Sequence, residues 1–381
     1  MMVLEQLWRA VPGLESAIRQ QPLAADREAA WVMLRSLLQA FAPSTGTTLP
    51  NGILDQVSDI AAAFGLADRL EADLGGVGNA GLWLGVAGGR VDLLVVAHLD
   101  RQTFRIERVE EDGQSARLVP VCTTMPCAEA VSAPGRALRL QDGRLEVGAR
   151  GHLRADRQGV SFQAEEGLLL PSDLVTPDGN PRRQGDRVSG GGLDNAAGVL
   201  SVLGAAAALR RVEETLLEYD RRCLFVFPDR QDYSLTALMA MCPALRPTLG
   251  TIIVDVVGTV GTGVRPGAGA VCVLAGSQAD GLVVPLNYQQ LAQPLAEALN
   301  DIRPGSVQLW RACPEEWLGA VSRSLRERVL GYIGPAISKT RPGDETVHLP
   351  DIQAVAWWLA CYIAAVLNLA PEVTRQYALG R

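Results

Sequence analysis

The chain has 381 residues, 48% of them hydrophobic and 20% charged, with a formal net charge of −7 at pH 7. This length suits one large domain with an insertion, or two domains. The negative charge argues against binding to nucleic acid or to an acidic membrane surface, and no apolar run approaches the roughly 20 residues of a membrane span. The seven cysteines are scattered and odd in number, which predicts a reducing compartment, the cytoplasm, and no disulfide framework.

The first hundred residues combine helical and strand patterns. Helical periodicity covers residues 1–42, and a further helix is predicted over 52–64. An apolar strand over 81–87, a turn at Gly88-Gly89 and a second apolar strand over 91–97 predict a β-hairpin.

The pattern changes in the middle of the chain. Short alternating segments separated by Asp-Gly turns fill residues 104–187, which is typical of a small all-β domain. Beyond it, helices and strands alternate and end in a long apolar helix over 349–369. Such alternation predicts an α/β sheet covered on both faces. The predicted organisation is a discontinuous α/β domain of residues 1–103 and 188–381, split by the inserted β domain.

Three potential metal ligands lie within or next to apolar elements. His98 follows the strand over 91–97, Asp194 follows three glycines at the start of a helix, and Asp255 lies within an apolar strand. A charged residue in a central strand is costly unless it is paired or metal-bound. One imidazole and two carboxylates form a ligand set suited to zinc. Asp100, two residues after His98, would orient the imidazole by a hydrogen bond; the plainer interpretation of Asp194 is a helix N-cap alone.

The order and spacing of these motifs resemble those of the tetrahedral-aminopeptidase family of two-metal peptidases, which includes glutamyl aminopeptidases and sequences once labelled endoglucanases. Three segments are similar to motifs of the family's metal-binding domain: Asp73-Leu-Gly-Gly-Val-Gly-Asn79, His98-Leu-Asp100 and Gly190-Gly-Gly-Leu-Asp194-Asn-Ala-Ala-Gly198. Gly148-Ala-Arg-Gly-His152 resembles a segment of its inserted domain. The resemblance implies a zinc-peptidase-like sheet between helices, interrupted by a barrel- or PDZ-like β domain that mediates dimerisation, and therefore a homo-oligomer.

The resemblance also implies roles for the site residues. In that family an aspartate bridges two metals, and Asp194 stands at its position. His98 and Asp255 would complete one of the two metal sites, with Asp100 in support. The implied cofactor is one divalent metal, zinc or cobalt, with a metal-free protein as the alternative.

The second metal site departs from the family pattern. Arg230 and Gln231 stand where the family has two glutamates, the first a general base and the second a metal ligand. Arg341 stands at the position of a ligand histidine, while Glu345 is retained. An arginine stays charged and has no acceptor, so it neither takes a proton from water nor binds a metal. Arg230 and Arg341 could instead bind a carboxylate or a phosphate in bidentate fashion.

Two substitutes for the missing groups are available in the sequence. Asp229 or Asp232 would supply the base if the loop that carries them is shifted, and His348 would supply a ligand. In the plainer interpretation Asp229 and Asp232 are solvated turn residues and His348 flanks the last helix. His152 is then a structural residue of the β domain, and Glu345 a surface or capping residue.

The sequence thus predicts a metallopeptidase of the aminopeptidase type, acting on small peptides, with half of its two-metal site retained and inactivity on standard aminoacyl substrates expected. A non-catalytic pseudo-peptidase is the first alternative. It would bind a small anionic molecule through Arg230 and Arg341, or serve as a subunit of an assembly. A one-metal hydrolase with Asp229 or Asp232 as its base is the second alternative.

Overall fold

The computed structural model describes ten segments of the chain, which are residues 2–121, 131–157, 159–216, 221–229, 238–240, 242–259, 263–274, 284–310, 329–341 and 344–369. Within them the α-helices with both ends described are α1 (Met2–Ala10), α2 (Leu14–Arg19), α3 (Pro22–Ala25), α4 (Arg27–Gln39), α5 (Ile53–Ala63), α6 (Leu193–Arg210), α7 (Glu213–Leu216), α8 (Leu286–Ile302) and α9 (Leu349–Asn368).

The strands of the same segments are β1 (Leu70–Glu71), β2 (Asn79–Leu84), β3 (Leu93–Val96), β4 (Phe104–Val109), β5 (Ser115–Pro120), β6 (Val131–Gln141), β7 (Arg144–Asp156), β8 (Gly159–Gly167), β9 (Leu174–Pro177), β10 (Arg182–Gln184), β11 (Arg187–Gly190), β12 (Cys223–Pro228), β13 (Gly250–Val254), β14 (Val257–Gly258), β15 (Ala270–Val273), β16 (Val307–Trp310), β17 (Val329–Gly334), β18 (Ala336–Arg341) and β19 (Asp344–His348).

An eight-stranded sheet in the order β1-β2-β12-β3-β13-β17-β15-β16 forms the centre of the protein. Its four central strands run parallel, and alternate side chains enter different apolar clusters: Leu93 and Val95 of β3 lie in the larger one, Leu94 and Val96 in the smaller. The larger cluster contains α6 and α9, which pack against each other. The predicted α/β fold with both sheet faces covered is confirmed.

The predicted hairpin between the strands on either side of Gly88-Gly89 is wrong. Strand β12 lies between β2 and β3, antiparallel to the first and parallel to the second. Glycine turns show where the chain reverses, but they do not determine which strand becomes the neighbour. The uninterrupted apolar run of β12 is buried at every position, and this suits a strand flanked on both edges.

A closed six-stranded barrel of β4-β5-β8-β7-β6-β9 lies within the segment predicted to be an inserted β domain. Phe104, Phe162 and Val175 belong to its separate apolar core. A five-stranded sheet, β10-β11-β19-β18-β14, follows it and carries residues that border the site described below.

Helix α9 is more hydrophobic than expected from the sequence, in which no apolar run was predicted to approach the length of a membrane span. Its 20 residues contain an 18-residue window of mean hydropathy 1.4, which is long and apolar enough to cross a membrane. However, 89% of that window is buried inside the protein, and its Trp358 and Tyr362 rings stack with their centroids 5.4 Å apart. Burial on all sides is what a central core helix requires.

Candidate metal site

Parallel neighbouring strands bring two of the predicted ligands together. His98 follows β3 and Asp255 directly follows β13, and these strands are adjacent in the sheet. The carboxyl ends of parallel strands meet at one edge of a sheet, which is the usual place for a site in α/β proteins. Asp255 was expected within its strand, but it lies just beyond the strand end, with its backbone N–H donating to Ile333 at 3.0 Å.

The third predicted ligand comes from the start of α6. Nε2 of His98 lies 3.2 Å from Oδ1 of Asp194 and 3.7 Å from Oδ1 of Asp255. One ligand atom from each of these residues lies within 4.8 Å of the others, and no other such group of histidine, cysteine, aspartate or glutamate occurs in the described segments. The side chains of His98, Asp255 and Asp194 are 12%, 15% and 27% exposed, so the cluster is accessible to a small ion.

Asp100 fixes the orientation of the imidazole. Nδ1 of His98 lies 3.0 Å from the backbone carbonyl oxygen of Asp100 and 3.5 Å from its Oδ1. With Nδ1–H donating to this carbonyl, the lone pair of Nε2 points toward the two carboxylates. A metal-binding histidine uses the same arrangement, in which the second ring nitrogen donates to an oxygen.

Negative charge surrounds the ring. Burial lowers the pKa of His98, but hydrogen bonding with Asp100, Asp194 and Asp255 outweighs it and leaves the pKa well above the usual value. A proton on His98 therefore compensates the carboxylates in the metal-free protein, and a divalent cation would replace that proton.

Two glycines, Gly192 at the N-cap of α6 and Gly198 within the helix, allow close contacts there. Gly192 has φ of +84°, and a Cβ there would lie 2.3 Å from Nε of Arg101. A Cβ on Gly198 would lie 2.0 Å from Oδ1 of Asn195, whose Nδ2 donates to the carbonyl of Val254 at 2.8 Å. A Cβ at either position would displace a buried side chain, and the positive φ of Gly192 also favours glycine.

The backbone at Asp194 is irregular, and its side chain does not cap the helix. Asp194 has φ of −85° and ψ of 102°, and the peptide bond to Asn195 is cis. The N-cap residue is Gly192, with no side-chain cap. The backbone N–H of Asp194 donates to Oε2 of Glu345 at 3.0 Å, so Glu345 contacts the site as a hydrogen-bond acceptor for the backbone.

His348, the predicted substitute ligand, lies away from the cluster, as does His152. His348 is three residues beyond Glu345 on β19, a distance of about 10 Å along the strand and on its opposite face. Its ring packs against Gly267, where a Cβ would come within 3.3 Å of Nδ1. His152 lies on the barrel, with Nε2 3.4 Å from Oε1 of Glu165. Neither histidine approaches the cluster.

Asp229 is neither a solvated turn residue nor an open base. It is 4% exposed, and its Oδ1 accepts from the backbone N–H of Thr45 at 2.9 Å. Burial raises its pKa to about 6.

The remaining predicted residues of the second site fall outside what the structure describes. These are Arg230, Gln231, Asp232 and the side chain of Arg341, whose backbone belongs to β18.

Two residues behind the site were not predicted. Arg101 donates to the carbonyl oxygens of Leu37, Leu38 and Ala40 at the end of α4; burial and the charge of Arg136 lower its pKa to about 9. Ser44 donates from Oγ to Oδ2 of Asp100 at 2.6 Å. Since both contacts join parts of the chain about 60 residues apart, no local sequence pattern could have indicated them.

Solved structures of known proteins share this architecture. An aminopeptidase from the archaeon Desulfurococcus kamchatkensis matches with a TM-score of 0.66 and 17% identity, over 88% of this chain and 95% of that chain. A TET aminopeptidase from a marine sediment thaumarchaeon matches with a TM-score of 0.69 and 11% identity, over 92% and 99%. The TET1 peptidase of Pyrococcus horikoshii, which assembles into a tetrahedron or a large octahedral shell, matches with a TM-score of 0.65 and 16% identity, over 87% and 98%.

No protein-family model matches the sequence, and a search among curated proteins finds no match. The structural matches show that the chain has the fold of the tetrahedral aminopeptidases, as its motifs predicted.

Proposed function

We propose that the chain is a metal-dependent hydrolase of the aminopeptidase type that holds one divalent cation, zinc or cobalt, on His98, Asp194 and Asp255. The observation that carries the proposal is the geometry of His98, which directs Nε2 toward two carboxylates while Nδ1 is held by Asp100. The fold of solved aminopeptidases supports the reaction class.

The residues present fit such a cation. One imidazole and two carboxylates supply ligand types that zinc accepts, and three ligands are the number that catalytic zinc sites use while leaving a position open for water or substrate. A bound cation would polarise a substrate carbonyl and lower the pKa of its water. The chain itself contributes the orientation of His98 through Asp100 and the hydrogen bond from Asp194 to Glu345.

We further propose that the site is half of a two-metal site and turns over slowly. Within the described segments no fourth histidine, cysteine, aspartate or glutamate joins the cluster. Water at a metal still needs a positioned carboxylate to accept its proton. Asp229 accepts from the backbone N–H of Thr45, and Glu345 accepts from the backbone N–H of Asp194, so each carboxylate already holds a backbone group in place.

We also propose small peptides as substrates and a cytoplasmic homo-oligomer as the working form. The substrate class is supported by the names of the solved aminopeptidases. The oligomer is supported by the tetrahedral and octahedral assemblies of the TET1 peptidase.

Hydrolysis of aminoacyl-p-nitroanilides tests the proposal. Zinc- or cobalt-loaded wild-type protein is compared with His98→Ala and with His348→Ala, which removes a histidine remote from the cluster. We expect turnover no faster than the ~1 s⁻¹ at the slow end of ordinary enzymes, with any residual metal-dependent activity lost in His98→Ala and retained in His348→Ala. Measurable activity that is equal in all three proteins would contradict the site, and turnover of ~10² s⁻¹ would contradict the half-site.

The alternative is a pseudo-peptidase that binds a small anion through Arg230 and Arg341. It is supported by the two arginines that the family resemblance aligns with metal-site positions. Thermal stabilisation by phosphate that disappears in the double variant Arg230→Ala, Arg341→Ala, together with no metal-dependent hydrolysis, would support it over the hydrolase.

A further inference from the structure

We propose that Ser44 and Asp229 are positioning residues for the metal site: Ser44 holds the carboxylate of Asp100 behind His98, and Asp229 holds the turn that carries Ser44. The inference rests on the proposed metal site. It adds residues that hold Asp100, which in turn orients the ligand His98. It also gives Asp229 a role other than that of a base.

The first contact joins Ser44 to Asp100. Both residues are buried, and Oγ of Ser44 lies 2.6 Å from Oδ2 of Asp100. A hydrogen bond to an ionised acceptor is short and strong. It fixes the carboxylate so that its other oxygen, Oδ1, stays 3.5 Å from Nδ1 of His98. Removal of the hydroxyl would leave a buried carboxylate free to turn away from the imidazole.

Backbone contacts hold Ser44 in register with the segment that contains His98. The N–H of Arg101 donates to the carbonyl of Ala42 at 2.8 Å, and Pro43 and Arg101 form a parallel bridge. The N–H of Ser44 donates to Oγ1 of Thr103 at 2.8 Å. The turn around Ser44 is therefore hydrogen-bonded at several points to the chain just after His98 and Asp100.

Asp229 secures the next residue of the turn. Thr45 has φ of +82°, a genuine outlier for a β-branched side chain. Such a conformation is unfavourable and persists only where the surroundings determine it. The hydrogen bond from Thr45 N–H to Oδ1 of Asp229 at 2.9 Å holds the backbone of Thr45 in place.

Asp229 is itself anchored at the strand end beside the site. It directly follows β12, and its N–H donates to Gly78 at 3.3 Å. The N–H of Leu99 donates to Pro228, the residue before Asp229, at 3.0 Å. Asp229 is thus hydrogen-bonded to Thr45 in the turn that carries Ser44, and it lies next to the segment of His98 and Asp100.

The affinity of the protein for cobalt, with its visible absorption spectrum, tests the proposal. Groups that orient a metal-binding histidine typically change metal affinity 10- to 100-fold. Ser44→Ala is therefore expected to weaken cobalt binding about tenfold or more and to alter the spectrum. The matched control is Ser201→Ala, because Ser201 is equally buried and its hydroxyl donates only to backbone carbonyls of Ala197 and Ile352. We expect that control to lose thermal stability but to keep the affinity and spectrum.

A second pair of variants separates positioning from base chemistry. The amide oxygen introduced by Asp229→Asn would still accept from Thr45, so this variant is expected to bind cobalt within about threefold of wild type, whereas Asp229→Leu, which has no acceptor, binds about tenfold more weakly. This pair decides the question if Ser44→Ala does not fold.

The outcomes distinguish the two proposals. Wild-type affinity in both Ser44→Ala and Asp229→Leu would overturn the positioning roles and leave the metal site intact. An equal loss of affinity in Asp229→Asn and Asp229→Leu would overturn the role of Asp229 as an acceptor. A wild-type protein that binds no cobalt would overturn the proposed function, and this inference with it.

Discussion

Glu345 of β19 accepts a hydrogen bond from the backbone N–H of Asp194 at 3.0 Å, across 151 positions of sequence. Strands β11 and β19 pair nearby, because Gly190 of β11 lies opposite Glu345. The five-stranded sheet therefore fixes the backbone of one predicted ligand, while the eight-stranded sheet carries the other two. Both sheets must be assembled before the cluster exists.

Loss of the Glu345 carboxylate should weaken both the fold and the site. Glu345→Leu leaves the N–H of Asp194 without its acceptor, and we expect a fall of about 1–3 kcal/mol in the free energy of unfolding. Urea denaturation measures that fall, and a cobalt titration should show weaker binding. Glu345→Gln retains an acceptor oxygen, so its free energy of unfolding should fall by less than half as much. An equal fall in both variants would assign the effect to the charge of Glu345.

An alanine at Gly192 should destabilise the protein more than one at Gly143. Both glycines have positive φ, but a Cβ at Gly143 meets nothing within 4 Å, whereas one at Gly192 meets Arg101 at 2.3 Å. Gly143→Ala should cost about 1–2 kcal/mol from backbone strain, and Gly192→Ala about 1–3 kcal/mol more from overpacking. Thermal unfolding of metal-free proteins compares them, and similar losses would show that Arg101 moves aside freely.

Asp351 should make stability fall as the pH rises. Its carboxylate accepts from the N–H groups of Gly267 and Gly269 at 2.7 and 2.8 Å, yet burial raises its pKa from 3.8 to about 6. Between these values the folded state holds a proton that the unfolded state has lost, so the stabilisation is complete below pH ~4 and is lost as the pH passes ~6.

The variant Asp351→Asn isolates this effect because it cannot titrate. Relative to it, wild-type protein should lose about 2–2.5 kcal/mol of unfolding free energy between pH 4 and pH 7, at 1.36 kcal/mol for each pKa unit. Urea denaturation of metal-stripped proteins across that range gives the difference. Parallel pH profiles for the two proteins would contradict the predicted titration.

The positions of His98, Asp194 and Asp255 could be predicted from sequence because each adjoins a strand or helix with a strong apolar pattern. The carboxyl ends of parallel strands lie at one edge of a sheet, so the sheet alone explains why His98 and Asp255 lie close together. The strand neighbours could not be predicted in this way. The glycine turn after β2 predicted a hairpin of β2 and β3, but β12 lies between these two strands.

The supporting contacts could not be predicted in the same way. The sequence around Ser44 indicated only that a helix ends there, yet its hydroxyl meets Asp100, 56 residues away. Asp229 follows a proline after a strand and was expected to be solvated or catalytic, whereas it is buried against Thr45. Whether a carboxylate finds backbone donors depends on tertiary packing, which a pattern of neighbouring residues does not encode.

The number of metal ions bound to each chain tests the central claim most directly. Protein prepared without a metal-affinity tag is dialysed against zinc or cobalt and analysed by elemental mass spectrometry, with His98→Ala and His348→Ala beside it. The account predicts one metal for each chain of wild-type and His348→Ala protein, and none for His98→Ala. Two metals for each wild-type chain would contradict the half-site, and none would contradict the metal site itself.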